Sequence, residues 1–533
     1  MSDTQVLPDH PLRNLKYDLP AGIVVFLVAI PLCLGIAMAS GAPPLSGLLA
    51  GIVGGLVVTL VSGSALSVSG PAAGLVVIVI AAIESLGFDG LLMATVIAGV
   101  LQIVFGYLRL GRIGAFVPSS VIKGMLAAIG LILIVNQLPL MAGIAQDAEV
   151  GLFDTALFEQ GSGLALTIAL VSLAILLLWE RPSIKGSVLG RLPAPLVAVV
   201  VAVLIDRLMP ASLMAPLGDA HRIGLPIDAM GFAGASEFLG QLQMPALDRL
   251  LDPEVYMVAV TLALIASLES LLSLEAVDKI DPQRRHSPPH RELKAQGVGN
   301  VLSGLIGGLP VTAVIVRSSA NVQAGGRTRM ASLVHGLLLL ASVALLAPML
   351  ELMPLACLAA ILVHTGYKLA KPEMLVEQYR KGFNRVVPFV ATVVGVMAMD
   401  LLKGVLVGIL CGLFFMIRAN YRRAVSFTQE GHHALLRFRT DISFLNREEV
   451  RSRLERVAAG TYLIIDARQA NHVDPDIRED IEAFARNAPA RGISVELRDV
   501  GGLSATFPAD PDVLRELEDP SSTASTSPQR AFG

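Results

Sequence analysis

The pattern of hydrophobic and polar positions divides the chain into two unlike parts. From Asp18 to about Met416, long apolar stretches are separated by glycines, prolines and short charged loops. From about Arg418 onward the composition is that of an ordinary water-exposed domain. A helix needs about 20 apolar residues to cross the hydrocarbon core of a bilayer. The first part therefore predicts a polytopic bundle of membrane helices, and the change in composition predicts a domain boundary near residue 425.

The apolar runs predict fourteen membrane segments. Two shorter segments, Val68–Ile83 and Pro310–Val322, are broken at their starts, and a compact run at Ala295–Gly307 precedes the second of them. The runs of full length begin near Pro20, Pro44, Leu91, Val117, Leu164, Pro193, Val255, Met330, Pro354, Pro388 and Lys403.

Composition and charge exclude several classes of protein. The chain is 54% hydrophobic and 16% charged, whereas soluble domains carry about 25% charged residues. A net charge of -3 gives no basic surface for nucleic acid. The three cysteines, Cys33, Cys357 and Cys411, all lie in apolar stretches, so we expect neither a disulfide framework nor a metal site. We expect no cofactor and no enzyme activity.

The distribution of basic residues predicts the orientation of the bundle. Lys and Arg accumulate in cytoplasmic loops. With the N-terminus inside and fourteen spans, the outer loops hold only Arg207, Arg222, Arg249 and Lys403, while the inner loops hold most of the remaining basic residues of the first part. Both termini are therefore expected in the cytoplasm.

The two broken segments are the strongest indication of a binding site. Ser67–Gly74 would begin the third span and Gly307–Ala313 the tenth, which are matching places in two halves of seven. Paired interruptions of this kind mark the sites of transporters built from inverted repeats. A proline fits the first turn of a half-helix, whose free N–H groups and dipole attract an anion. The alternative is that these Gly-Pro pairs only kink core helices.

Two ionisable residues fall within predicted spans, where charges are costly and usually functional. Glu269 lies in the middle of the eighth segment, with Ser273 four residues later on the same helix face. This pair is a candidate site for a proton or Na+. Arg317, in the tenth segment, is a candidate source of positive potential beside an anion. The alternative is an internal Glu269–Arg317 ion pair that neutralises both groups.

At these residues the chain resembles the SulP family of anion transporters, which includes bacterial sulfate permeases and the animal anion exchangers with prestin. The resemblance implies a 7+7 inverted repeat in which a core domain moves against a gate domain, a cytoplasmic STAS domain and a homodimer in the bacterial inner membrane. The motifs that carry it are Asp18-Leu19-Pro20-Ala21-Gly22, Ser69-Gly70-Pro71, Gly307-Gly308-Leu309-Pro310 and Asn321-Val322-Gln323-Ala324-Gly325-Gly326-Arg327-Thr328-Arg329.

The resemblance also implies which residues line the anion pocket. Arg317 matches the arginine that contributes positive charge in animal members, and Glu269 matches the acid tied to cation coupling in bacterial members. Ser273 falls where cyanobacterial bicarbonate transporters place a hydroxyl near Na+, but their threonine beside Na+ is Ile315 here, which leaves H+ open. The substrate-binding residues implied are Leu32, Ile36, Ser69, Gly70, Pro71, Ala72, Ala73, Ala313, Val314, Ile315 and Arg317.

The expected domain organisation follows from these patterns. A cytoplasmic segment, 1–17, precedes a transport domain at 18–425, with repeats at about 18–209 and 254–418. A STAS domain is expected at 426–505. In it the sequence predicts strands at Ala434–Arg439, Tyr462–Ile465 and Ser494–Leu497 and helices at Glu448–Ala458 and Ile477–Arg486. We expect this α/β domain to mediate dimerisation, and residues 506–533 to be disordered.

The leading hypothesis is an elevator-like symporter for a small inorganic oxyanion, driven by Na+ or H+ acting at Glu269. Bicarbonate is the first choice, because the amino-acid sequence of the first three spans resembles a branch of the SulP family whose members are often fused to carbonic anhydrases or found beside them. A sulfate or dicarboxylate symporter with H+, or an anion exchanger, is the alternative. A nucleobase permease would need polar groups at the half-helices, where Ala72, Ala73, Ala313 and Val314 offer none. A STAS-based sensor with a membrane anchor would need neither fourteen spans nor paired half-helices.

Overall fold

The computed structural model describes residues 14–111, 118–144, 161–185, 192–210, 212, 214–218, 221–227, 229–399 and 401–518. The chain divides into two compact units between Leu410 and Cys411, and each unit is described by itself. The first unit is almost entirely helical, and the second contains a five-stranded sheet.

The first half of the helical unit begins with a long helix and contains one strand, β1. Its helices, with the bounds of that strand, are α1 Leu15–Ala39, α2 Pro44–Val61, β1 Ser69–Pro71, α3 Ala73–Tyr107, α4 Ser119–Met141, α5 Gly163–Trp179 and α6 Ala194–Leu208. Helix α3 is broken at Gly87, where φ is 73°, so it supplies both the third and the fourth segment without a loop between them.

The second half repeats this plan after a connecting helix, α7. Its elements are α7 Phe232–Gly240, α8 Pro253–Ile280, α9 Pro289–Leu305, β2 Val311–Ala313, α10 Ile315–Gln323, α11 Met330–Leu350, α12 Leu355–Leu369, α13 Pro372–Arg380, α14 Phe383–Ala398 and α15 Leu401–Ala424. Seven helices among the described residues are long and apolar enough to cross a membrane, and α5 and α14 are shorter apolar helices.

The fourteen predicted segments each coincide with a helix or, in α3, with one side of the Gly87 break. Packing follows the predicted repeat. Helices α1 and α8 are the first helices of the two halves, and their contacts correspond. Helix α1 packs against α10 and α11 of the second half, and α8 packs against the start and the later part of α3 in the first half. Helices α4 and α12, which occupy equivalent places in the two halves, pack against each other. The fold is therefore the predicted 7+7 inverted repeat.

The two broken segments differ in one respect from the expectation. Prolines were expected in the first helical turn, but Pro71 is the last residue of β1 and Pro310 precedes β2. The helices begin later, at Ala73 and Ile315. The physical reason is that a residue before proline is pushed into extended backbone, so the chain around each proline forms a short strand before the helix begins.

The second unit is an α/β domain with one mixed sheet in the order β3-β4-β5-β6-β7. The inner pairs, β4 with β5 and β5 with β6, are parallel, and the outer pairs are antiparallel. The elements in this unit after α15 are β3 Val425–Glu430, β4 His433–Phe438, α16 Arg447–Glu455, β5 Tyr462–Asp466, α17 Pro475–Asn487, β6 Ser494–Val500, β7 Leu503–Phe507 and α18 Pro511–Glu518.

The sequence predicted the three inner strands and both larger helices of this domain but not its edges. The two edge strands, β3 and β7, were not predicted. Strand β3 begins at Val425, where the change in composition predicted the domain boundary. The expectation of disorder from residue 506 is wrong for the helix Pro511–Glu518, because its apolar positions recur at helical spacing. Residues 519–533 and 1–13 lie outside the described residues.

One acidic residue of the second unit has a clear electrostatic environment. Arg468 donates to both carboxylate oxygens of Asp466, at 2.9 and 3.0 Å. These bonds lower the pKa of Asp466 to about 2. A second acid of this domain, Asp474, accepts a hydrogen bond from the backbone N–H of Asp476 and caps α17. Both carboxylates therefore accept hydrogen bonds from groups of the same domain.

Candidate functional site

The two broken segments meet at the centre of the helical unit. Strands β1 and β2 pair antiparallel, with Ser69 opposite Ala313, Gly70 opposite Thr312 and Pro71 opposite Val311. All six residues are buried. The ladder continues one step further, because the N–H of Val314 donates to the carbonyl of Val68 at 2.9 Å. The structure thus brings together two elements that are far apart in the sequence.

Each strand leads directly into a helix whose N-cap residue has no side chain that could cap it. Ala72 precedes α3 and Val314 precedes α10, and neither supplies a side-chain hydrogen bond to the helix start. The first N–H groups of a helix have no partner within it. Ala72 and Ala313 are buried, whereas Ala73, Val314 and Ile315 are partly exposed. The two helix starts therefore present backbone N–H groups among small and apolar side chains.

The side chain of Arg317 lies at the end of strand β1. Its side chain is fully buried, and Nη2 donates to the carbonyl of Pro71 at 3.4 Å. Gly70 makes this position possible, since a Cβ there would lie 2.0 Å from Nη1. Cys33 and His335 are its buried neighbours. Arg317 thus brings positive charge to the end of β1, close in the chain to the start of α3.

Glu269 lies at the start of the first half-helix. Its carboxylate accepts a hydrogen bond from the N–H of Gly74, while Oε2 is buried without a partner among the described residues. A Cβ at Gly74 would lie 2.6 Å from both carboxylate oxygens. Ser273 is buried one turn later on α8, and its predicted role with a cation stays a prediction.

The alternative of a Glu269–Arg317 ion pair is wrong for this conformation. Among the described residues, no salt bridge joins the two side chains. They lie instead on two sides of the first broken segment, Arg317 at Pro71 and Glu269 at Gly74. Each charge is thus tied to backbone near the start of α3 rather than to the other charge.

The two positions predicted on α1 divide between neighbouring parts of the core. Ile36 belongs to the same buried cluster as Ala72, against which Ala73 and Val314 pack. Leu32 belongs to an adjoining cluster against which Val316 packs. Helix α1 therefore contacts both β1 and α10, and Ile36 is the position that shares a cluster with the helix starts.

Sequence reasoning missed the polar side chains that hold the ladder from its outer edges. Asn300 bonds both backbone groups of Val311, Ser270 accepts from the N–H of Ala313, and Gln296 donates to Ser69. The hydrophobic pattern indicates only a compact run at Ala295–Gly307 and does not point to these side chains. The signal that would have found these residues is a polar stripe at helical spacing, Glu292, Gln296, Asn300 and Ser303.

Comparison with known proteins places this arrangement in a family. A model of the sulfate permease family matches residues 15–392. The Bacillus subtilis protein named "Putative sulfate transporter YvdB" is 29% identical over 80% of this chain and 78% of its own length. The bicarbonate transporter BicA of Synechocystis is 30% identical over 74% of this chain and 69% of its own length.

Solved structures show the same fold. The transmembrane domain of a cyanobacterial bicarbonate transporter BicA superimposes with a TM-score of 0.62 at 26% identity, covering 74% of this chain and 98% of that domain. Murine Slc26a9, an anion transporter captured in the inward-facing state, superimposes with a TM-score of 0.71 at 18% identity over 96% of this chain and 92% of its own. The second match extends through the C-terminal domain.

Proposed function

Because this chain belongs to the sulfate permease family of anion transporters, we propose that it is a secondary active transporter that carries a small inorganic oxyanion into the cell together with a cation. The relatives are named as transporters rather than as enzymes. The observation that carries the proposal is the antiparallel pair β1–β2, which leads into two helix starts whose N-cap residues supply no side-chain hydrogen bond. Helix N-termini bind anions through free N–H groups and the positive end of the helix dipole.

Bicarbonate is the substrate we propose first. Apart from Glu269, the surroundings of the helix starts are small and apolar, so a planar, singly charged oxyanion can reach the backbone of Ala73 and Ile315. Similarity to the bicarbonate transporter BicA supports this choice. Sulfate is the alternative, which the names of the Bacillus relatives support.

We propose that cation coupling acts through Glu269. Its carboxylate lies at Gly74, beside the helix start where the anion is expected. A negative carboxylate there repels an incoming anion, and a bound H+ or Na+ removes that repulsion. Each ligand then raises the affinity for the other by the same factor. The cation would also offset the membrane potential, which opposes anion entry by about 2.3 kcal/mol per charge per 100 mV.

The remaining parts of the proposal concern the whole protein. We place it in the inner membrane of a bacterium with both termini in the cytoplasm, on the distribution of basic residues. Transport would proceed by an elevator-like movement of the ladder and its helices against the rest of the bundle. A homodimer would form through the C-terminal domain.

The test is uptake into proteoliposomes that contain the full-length protein. Labelled bicarbonate, sulfate and fumarate are supplied separately, each with an inward Na+ gradient, with an inward proton gradient, and with neither. We expect accumulation of bicarbonate above its equilibrium distribution with one of the two gradients. Accumulation of sulfate or fumarate alone would reject bicarbonate, and absence of all three would reject oxyanion transport.

The variant Glu269→Gln tests the coupling separately. The amide can still meet Gly74 but cannot carry the charge that a cation neutralises. We expect gradient-driven accumulation to be lost while exchange of labelled for unlabelled anion continues. Accumulation at the wild-type level in this variant would contradict the assignment of coupling to Glu269.

A further inference from the structure

Helix α9 carries a stripe of polar side chains through the interior of the helical unit. Glu292, Gln296, Asn300 and Ser303 follow one another at spacings of three or four residues, and each is at most 1% exposed. Polar groups away from water are costly unless they are hydrogen-bonded. These side chains therefore need hydrogen-bond partners inside the protein. Gln296, Asn300 and Ser303 find them in the segments that form the ladder or lead into it.

Asn300 makes the most complete of these contacts. Its Nδ2 donates to the carbonyl of Val311 at 3.0 Å, and its Oδ1 accepts from the N–H of Val311 at 2.6 Å. This is the pair of bonds that a neighbouring strand would make to one residue. Val314 bonds Val68 across the ladder, so by the alternation of an antiparallel pair Val311 directs its N–H and C=O away from β1. The Asn300 amide thus serves as the strand partner on the outer edge of β2.

The same amide connects the ladder to the helix that carries Glu269. Nδ2 of Asn300 also donates to Oε1 of Gln102 at 2.7 Å, and Gln102 in turn donates to the hydroxyl of Ser267 at 3.3 Å. On the other side of Glu269, the hydroxyl of Ser270 accepts from the N–H of Ala313 at 3.2 Å. Helix α8 is therefore joined to β2 both before and after Glu269.

We propose that Asn300 is a positioning residue for anion binding, which holds β2 so that the start of α10 faces the start of α3. The anion does not touch Asn300. Its amide fixes the orientation of the N–H groups that do bind, and through Gln102 it keeps β2 in register with α8. The inference rests on the proposed function, since it assigns the anion to these helix starts.

The test compares Asn300→Ala with wild type in two independent measurements. In proteoliposomes we expect the KM for the transported anion to rise about tenfold, as loss of one or two net hydrogen bonds predicts, with a smaller change in the maximal rate. In hydrogen–deuterium exchange we expect faster exchange in peptides that cover residues 307–316. The matched control is Thr95→Val, which removes a buried hydroxyl that bonds only within its own helix, to Leu91.

Gln102→Ala provides a second variant if Asn300→Ala does not fold. It leaves the two bonds to Val311 in place but removes the connection to Ser267, so we expect a smaller rise in KM, and the double variant should be no worse than Asn300→Ala alone. An unchanged KM and unchanged exchange in folded Asn300→Ala, or an equal rise in Thr95→Val, would overturn the inference. If wild type transports none of the anions while exchange at 307–316 still accelerates, the proposed function fails and the role of Asn300 in holding β2 stands.

Discussion

At the scale of single residues, the sequence identified the charged groups of the site but not their partners. Glu269 and Arg317 stood out because charges are rare in membrane spans. Their neighbours Gly74 and Gly70 could not be assigned, because a glycine gives no sign of which atom will occupy the space beside it. Each glycine leaves room for a charged side chain that a Cβ would displace, Glu269 at Gly74 and Arg317 at Gly70. Asn300 was missed because one polar residue in an apolar run is uninformative without its neighbours at helical spacing.

The contact between Gly70 and Arg317 gives a prediction at this scale. In Gly70→Ala the new Cβ must push the guanidinium away from Pro71, so we expect about the same loss of anion affinity as in Arg317→Ala. A charge-assisted contribution of about 1.5–3 kcal/mol corresponds to roughly tenfold or more in KM. The measurement is KM for uptake in proteoliposomes for both single variants and for the double variant.

Because both substitutions act on the same guanidinium, their effects should not add. We expect the double variant to match Arg317→Ala, as coupled neighbours do in a double-mutant cycle. Multiplied effects would show that Gly70 matters for another reason. A wild-type KM in Arg317→Ala would remove the arginine from the anion site altogether.

At the scale of elements, the main lesson concerns the order of strand and helix. The apolar pattern and the two Gly-Pro pairs predicted two interrupted segments at equivalent places, and both are present. The pattern could not show that each begins with three extended residues, because pairing between distant strands leaves no periodicity in so short a run. The ladder β1–β2 is a tertiary feature, and only the folded chain reveals its register.

Two of the family motifs are explained by one contact between elements. Asp18, in the first turn of α1, is fully buried. Its carboxylate accepts from the N–H groups of Arg327 and Thr328 at 2.7 and 3.0 Å and from the hydroxyl of Thr328 at 2.5 Å. The motif at the start of α1 therefore binds the motif that follows α10. This contact holds the far end of the second half-helix.

We expect Asp18→Asn to lower the thermal stability of the helical unit. The amide retains one acceptor and brings a donor towards groups that already donate, at a cost of about 2 kcal/mol. The measurement is the midpoint of thermal unfolding in detergent, compared with Glu84→Gln, which neutralises an exposed acid on α3. Equal midpoints for Asp18→Asn and wild type would show that the contact contributes little to stability.

At the scale of the whole molecule, the sequence was most informative. Alternation of apolar runs with basic loops predicted the number of segments, and the shift of composition predicted a separate C-terminal domain. The edge strands of that domain were not predicted. Strand β3 follows α15 directly, with no turn residues between them that would indicate where the helix ends and the strand begins. The sequence does not identify the substrate or the coupling ion. The proposed anion ligands are backbone N–H groups, which nearly every residue type has, so no residue pattern marks them.

Removal of the C-terminal domain tests the proposed dimer. The chain should end after Ala424, because β3 begins at the next residue and a later cut would leave an unpaired strand. We expect a smaller dimer fraction by light scattering in detergent, with KM within about twofold of wild type, as for distant and independent sites. Deletion of residues 519–533 alone is the control and should preserve the dimer. A large rise in KM on removing the domain would mean that it shapes the anion site.

The antiparallel ladder also constrains how the protein is made. The N–H of Val68 donates to a serine that lies 250 positions later in the chain, and every rung of the ladder joins the first half to the second. While the first half is being synthesised and inserted, β1 has no strand to pair with. Because unpaired backbone groups are costly in the hydrocarbon core, we expect β1 to enter its final position only when the second half is present. We therefore expect the proposed anion site to be completed only after the tenth segment has entered the bilayer.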